Sequence, residues 1–307
     1  DQRAAYQQEQ STFFGDRLSL LGGLRWESWR FHDIFDQAST NQNPPAIEKE
    51  HTTYRLGAKY RASQAVSLRS SFGTAYWPGT ALWFFRNVST GMTWREANPD
   101  LRPETTWMAD FGVDARIAKT HTVFGITPYL GQIKGMVSYR YDVNPNVTGG
   151  TIIRSQNLGK ARIHGVEILA EQRLAESLTL SGTLTLNRSR LRDADANSGH
   201  QLRNAPDSFG SLCLSYARPS LLNAQATLRF SDDRFYDDEN TDLAYFHMEA
   251  YQTVDLKVWR AWQLSRKMSV TMALSGINLF DRGYATEIVY VHPGRTVQAD
   301  VTVRLPF

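Results

Sequence analysis

The chain has 307 residues, 41% hydrophobic and 21% charged, with 34 basic against 31 acidic side chains for a formal net charge of +3, and a mean hydropathy of -0.43. No run approaches the ~18 apolar residues of a membrane-spanning helix, which excludes a helical membrane protein but not a barrel, whose strands need only about ten residues of alternating polarity. The charges form no Lys/Arg block, which argues against a nucleic-acid partner, and the single cysteine, Cys213, permits neither an intrachain disulfide nor a cysteine metal cluster.

The chain opens at Asp1 without Met, a basic n-region or an apolar h-region, so a signal peptide is expected upstream or already removed. From there two-residue alternation predicts about thirteen strands, near 1–14, 18–31, 52–61, 65–76, 104–116, 121–140, 151–173, 178–190, 207–217, 222–235, 251–262, 267–279 and 295–307. Leu178, Leu180, Leu184 and Leu186 oppose Thr179, Ser181, Thr183 and Thr185. In the last segment Val297, Ala299, Val301, Val303, Leu305 and Phe307 oppose Thr296, Gln298, Asp300, Thr302 and Arg304. As helices these segments would spread apolar residues over all sides.

Connections alternate strictly between short turns, such as Gly15-Asp16 and Ala118-Lys119, and long segments at 32–51, 77–103, 141–150, 191–206, 236–250 and 280–294. A meander barrel in an outer membrane has this property, since short turns share the periplasmic side and long loops the extracellular one. Aromatics near strand ends (Trp26, Trp29, Phe31, Phe72, Tyr76, Trp77, Phe230, Phe235, Tyr236, Tyr251, Phe280) suit interfacial girdles. Alternating positions such as Arg69, Arg229, Asp255, Lys257, Asp300 and Arg304 suit a polar lumen, whether plugged or water-filled.

Three segments carry a family resemblance. They are Asn98-Pro99-Asp100-Leu101-Arg102-Pro103-Glu104 followed by Phe111-Gly112; Asn157-Leu158-Gly159-Lys160-Ala161-Arg162-Ile163-His164-Gly165-Val166-Glu167; and Asn278-Leu279-Phe280-Asp281 with Tyr284, Pro293-Gly294-Arg295 and a terminal strand ending in Phe307. In order and spacing the chain resembles the C-terminal part of the TonB-dependent outer-membrane receptors, of the siderophore and cobalamin type. The resemblance implies an all-β, transmembrane antiparallel meander β-barrel, here about 13 strands of an expected ~22, a size at which the lumen is plugged. Residues 1–307 would then be the C-terminal part of the barrel, with the plug domain and about nine N-terminal strands absent. It implies active uptake of a bulky scarce solute, a ferric siderophore first and cobalamin second. Energy would come from the TonB complex acting through the missing plug. The alternative is a passive porin or structural barrel without energy coupling. Further partners are the barrel assembly machinery, for which Phe307 would be the signal, and outer-membrane lipid and lipopolysaccharide. Taken as chain chemistry, Pro99 and Pro103 mark the exit from a loop, while Gly159 and Gly165 mark a bulge or a close approach.

No catalytic constellation stands out: there is no Gly-x-Ser-x-Gly elbow and no zinc spacing among the seven histidines, so neither an enzyme nor a cofactor is expected. Ligand binding is expected of the loops. Trp83, Phe84, Phe85, Arg86, Trp94 and Arg95, beside Trp77, combine flat apolar rings that can stack on a chelate with guanidinium groups that can pair with its charge. The competing reading is that these rings pack the loop on itself. Tyr245, His247, Tyr290 and His292 are second-rank candidates in neighbouring loops. Asp237, Asp238 and Glu239 are hard oxygen donors suited to Ca²⁺, though a solvated acidic loop explains them as well.

Overall fold

A computed structural model describes residues 1–32, 45–157, 159–192, 197–237, 240, 246–266, 268–287 and 290–305. Strand β1 (Gln2–Phe13) turns through Phe14, Gly15 and Asp16, all at positive φ, into β2 (Leu18–Phe31). Strands β3 (Ile47–Arg61) and β4 (Val66–Trp77) lead to a loop holding α1 (Ala81–Phe85), β5 (Val88–Thr90) and β6 (Thr93–Glu96). The chain descends in β7 (Glu104–Ile117), rises in β8 (Thr122–Lys134), and leaves the barrel wall as β9 (Val137–Val143) and β10 (Thr151–Asn157). Four long strands follow: β11 (Lys160–Ala175), β12 (Leu178–Arg192), β13 (Ser208–Arg218) and β14 (Leu222–Ser231). A short ribbon, β15 (Arg234–Phe235) with β16 (His247–Met248), precedes β17 (Tyr251–Ser265) and β18 (Met268–Ile277). A second ribbon, β19 (Ala285–Glu287) with β20 (Tyr290–Val291), precedes β21 (Thr296–Arg304).

Thirteen of these strands form one antiparallel sheet, β1-β2-β3-β4-β7-β8-β11-β12-β13-β14-β17-β18-β21, in which each pairs with its sequence neighbours in the sheet and β1 and β21 lie at the edges. Residues directly opposite across a ladder share a face, so the register sorts the side chains. One face carries Leu130, Leu186, Leu212, Leu274 and Val301, 45–67% exposed. So much exposed aliphatic surface is stable against lipid, not water.

The opposite face is polar and cross-linked. Arg69 donates to Asp114 at 3.0 Å and to Thr127 at 2.5 Å. Arg229 pairs with Asp255, which also accepts the Asn278 N–H at 2.8 Å. Gln225 donates to Cys213 at 3.1 Å, so the lone thiol is a small lumen-facing strand residue. Buried apolar residues gather at the long-loop end instead, in two clusters: Phe84, Phe85, Leu101 and Val137, and Met136, Ala161 and Leu191.

The structure corrects several sequence expectations. The strands expected at 121–140 and 151–173 each break, because Gly135 and Gly159 both take φ of +65° and end the ladder. The excursions β9 and β10 pair with each other, and β10 also pairs with β6, which pairs with β5, in a separate four-stranded sheet. Strand β3 starts at Ile47 rather than 52, and the strand expected through 235 ends at Ser231. Gly165 is a close approach without a bulge: the β11–β12 register runs unbroken past it, and the neighbour is the Tyr129 ring. Of the expected girdle, Phe72 stacks on Trp107 with ring centroids 6.4 Å apart. Phe31, Trp77, Phe235 and Tyr251 join ring clusters at the loop end instead. Phe307 lies outside the described residues.

Candidate functional site

The sequence motifs that carry the family resemblance act at the loop end as backbone fasteners. Asn157, at the end of β10, donates from Nδ2 to the carbonyls of Arg102 (2.9 Å) and Gly135 (2.6 Å), and its Oδ1 accepts the Arg102 N–H at 2.9 Å. Asn98 donates to the Ser155 carbonyl at 2.8 Å, and Glu104 accepts the Val137 N–H at 2.6 Å. The first two motifs are thus halves of one joint that hangs the loop sheet on the barrel. Asn278, buried at φ +51°, makes a reciprocal pair of bonds with the backbone of Arg282, 2.8 Å and 3.0 Å long. Asparagine suits that left-handed position because its amide can satisfy the local backbone.

On this support the tryptophan-rich loop divides its rings between core and surface. Phe84 and Phe85 are 1% and 3% exposed, packed with Leu101, Val137, Phe31 and Ile47. They anchor α1. Trp83, partly buried, packs against the edge of that core; it also meets Trp77 edge-on at 4.7 Å, and its Nε1 donates to the Tyr139 hydroxyl at 3.2 Å. Arg95 lies over the Tyr139 ring, 4.9 Å from the centroid, at a separation that permits cation–π attraction. Its Nη1 is buried without a hydrogen-bond partner among the described residues, so one guanidinium donor of this patch is unsatisfied. Burial pushes the Tyr139 phenol up, but donation from Arg95 and Trp83 and the charges of Arg95 and Arg203 hold it below its ordinary value. The result is a strip of Trp77, Trp83, Tyr139 and Arg95 that offers π faces and positive charge together.

Trp94 and Arg95, adjacent in sequence, lie on opposite faces of the loop sheet. Arg95 is in register with Ile153 and Trp94 with Ile152, and Ile152 is opposite Asp142 on β9. Trp94's face carries the ion pairs of Arg154 with Glu96 and Asp142 and of Arg140 with Asp142. Desolvation disfavours the Asp142 carboxylate, but hydrogen bonds and charge from Arg140 and Arg154 outweigh it and hold the group below 3.8. A depressed carboxylate contributes its stability in full above its unfolded value and loses it as pH falls through the lower folded value. Protease resistance of segments 93–96 and 137–157 is therefore expected to be the same at pH 7 and pH 5 and to fall only below 3.8; loss already at pH 5 would remove Asp142 as the tie.

Of the second-rank candidates, His247 and His292 each join a ring stack. Phe235 stacks on His247 at 4.8 Å, and His247 Nε2 lies 3.0 Å from Asp233 Oδ2. Tyr251, Tyr284 and His292 form a column, with centroids 4.3 Å and 4.5 Å apart, and Arg234 sits 5.9 Å from the Tyr251 ring centre. Burial first, then the Tyr251 and Asp255 charges, raise the Tyr284 phenol. Below the column a groove of about 690 Å³, lined by Tyr129, Glu167, Asn187, Arg229, Arg234 and Tyr251 among others, runs into the lumen face. Tyr290 is 67% exposed on its ribbon. Tyr245, Asp238 and Glu239 lie outside the described residues. Among the described residues no group of three His, Cys, Asp or Glu side chains is placed to hold a metal ion.

Tyr139, Tyr284 and Arg203 were not among the sequence candidates. Tyr139 fell inside an expected barrel strand, and only the break at Gly135 lifts it into the loop sheet.

A thirteen-strand meander with a lipid-suited outer face, a polar inner face and structured loops at one end defines a transmembrane β-barrel of the bacterial outer membrane. The chain belongs to the TonB dependent receptor-like β-barrel family, whose model matches residues 1–279. It is 30% identical over 151 residues to the ferrioxamine receptor of Yersinia enterocolitica, a match covering 47% of this chain and 21% of that protein. Its fold is similar to that of the copper transporter OprC, with TM-score 0.75 and 17% identity over 99% of this chain and 48% of that one. It is also similar to the ferric yersiniabactin uptake receptor FyuA of Yersinia pestis, with TM-score 0.67 and 17% identity over 100% of this chain and 45% of that one. The chain thus spans less than half the length of these relatives.

Proposed function

We propose that this chain is the extracellular-loop-bearing part of the barrel of a receptor for TonB-coupled uptake of a bulky metal chelate, a ferric siderophore before cobalamin. The observation that carries the reading is the strip of Trp77, Trp83, Tyr139 and Arg95 at the loop end of the barrel. A planar or aromatic chelate stacks on such rings, and an anionic one is attracted by the Arg95 charge. Trp94 lies on the other face of the loop sheet from the strip; the rings around His247 and His292 offer a second wall. The siderophore receptors among the relatives support the same solute class, and family membership supports the coupling through a plug and further strands outside this chain.

The test uses the full-length receptor in cells with and without TonB, supplied in turn with a ferric tris-catecholate, a ferric tris-hydroxamate and cobalamin. Accumulation of one of these only when TonB is present is expected, with Arg95→Ala weakening binding by about tenfold, the scale of one charge-assisted hydrogen bond. Equal uptake without TonB would favour a passive porin, and binding of none of the three would overturn the reading.

A further inference from the structure

Two grooves on the lumen face join into one trough that runs the height of the wall. The upper, described above, reaches from Pro206, Arg234 and Tyr251 at the loop end down to Glu167, Thr183 and Thr185. The lower, of about 650 Å³, starts at the same Glu167, Thr183 and Thr185 and ends beside the short turn at Gln64 and Ala65, where Lys59 and Arg116 also line it. The wall here bears small uncharged groups in register: Ser181, Cys213 and Thr227 in one row, Thr183 and Ser211 in the next. Thr183 Oγ1 and Ser211 Oγ lie 3.0 Å apart. To either side the lumen face is ionic, with Arg69 of β4 paired with Asp114 of β7 and Arg229 of β14 paired with Asp255 of β17.

The two kinds of wall suit different tasks. A neutral hydroxyl exchanges its partner for water at little net cost, while charge-assisted contacts hold roughly twice as strongly. Passage requires contacts favourable enough for entry yet weak and multiple enough for release, so the hydroxyl-lined trough suits a moving solute better than the ion-paired sectors do. Its lower end adds direction. Lys59 and Arg116 carry no ion pair among the described residues, and a cleft that ends in uncompensated positive charge draws an anion toward it. Glu167, where the grooves meet, is likewise without an ion pair among the described residues and keeps an anion from resting midway. We propose that the trough is the route by which the captured chelate moves along the barrel wall, entering past Tyr251 and Arg234 and leaving past Lys59 and Arg116. The route rests on the uptake reading above and names the residues that line its path.

The test uses cells carrying the full-length receptor and the three solutes named above. Thr183→Trp with Ser211→Trp fills the trough at one cross-strand pair, while Ser275→Trp with Gln298→Trp adds the same bulk to a lumen-facing pair of β18 and β21. Binding at the cell surface without TonB is expected to stay near wild type in both. TonB-driven uptake should fall about tenfold or more in the first, an added barrier to passage, and stay near wild type in the second. Equal uptake by the two variants overturns the route. Wild type that accumulates none of the three solutes overturns the uptake reading and the route together; accumulation by wild type and by the trough variant alike overturns the route alone. Should heat-modifiable mobility show that the trough variant does not assemble, the assembled wild type decides. A bulky maleimide added during transport should alkylate Cys213 and stop uptake, with Cys213→Ser resistant. Failure of Cys213 to react during transport, or alkylation that leaves uptake unchanged, overturns the route.

Discussion

Gly165→Val in the full-length receptor is expected to cut the yield of heat-modifiable barrel to a small fraction of wild type, whereas Gly22→Val leaves it nearly unchanged. At Gly165 an added Cβ would stand 2.3 Å from the Leu186 carbonyl oxygen, 2.5 Å from the Tyr129 hydroxyl and 2.6 Å from its ring; at Gly22 it would meet nothing within 4 Å. Tyr129 reaches from β8 across β11 to donate to Asn187 on β12 at 3.0 Å, and Asn187 donates onward to Ser189 at 3.0 Å and to the Pro206 carbonyl at 3.3 Å. Glycine is what lets the ring cross the middle strand. Overpacking costs about 1–3 kcal/mol where neighbours can yield. Here one obstacle is backbone and the other is held by hydrogen bonds, so the upper end or beyond is expected. Tyr129→Ala added to Gly165→Val removes the side-chain obstacle and should restore part of the yield. Equal assembly of the Gly165 and Gly22 variants would refute the close-approach account.

The barrel was legible because its two determinants are local: period-two polarity in each strand and the alternation of short turns with long loops. The lipid and lumen faces of β12 follow directly from Leu178, Leu180, Leu184 and Leu186 against Thr179, Thr183 and Thr185. What period two cannot reveal is which sheet a strand joins. Apolar residues recur at Ile133, Val137 and Tyr139 across the junction, and the backbone conformation of Gly135, which no pattern encodes, sends β9 out of the barrel wall. The candidate site suffered from the same gap. An aromatic and guanidinium loop was readable as a binding surface, yet the burial of Phe84 and Phe85 depends on Phe31, Ile47, Leu101 and Val137 from distant segments, and which side chains share the face of Arg95 depends on a parallel pairing of β6 with β10, between segments more than fifty residues apart.

Asn157→Ala is expected to leave the barrel assembled while releasing the loop sheet. The amide serves three backbone groups of two other segments: the Arg102 N–H and carbonyl and the Gly135 carbonyl. None belongs to the thirteen-strand ladder, so heat-modifiable yield should match wild type. Losing one partner of a backbone bond costs about 1–3 kcal/mol when the group is left unsatisfied, and water can reach part of this joint, which places the combined effect near the same range. Because each 1.4 kcal/mol is about a tenfold change, amides in 93–103 and 137–157 should exchange roughly ten- to a hundredfold faster with deuterium. Chelate affinity should fall in parallel, since Arg95 and Tyr139 ride on the released sheet. Asn157→Asp separates hydrogen bonding from shape: it keeps the acceptor for Arg102 N–H but sets a carboxylate oxygen against two carbonyl oxygens, so it should loosen the sheet at least as much as alanine. Unchanged exchange in both variants would mean that the ion pairs of Arg154 and the buried Phe84 and Phe85 hold the loop sheet in place without the joint.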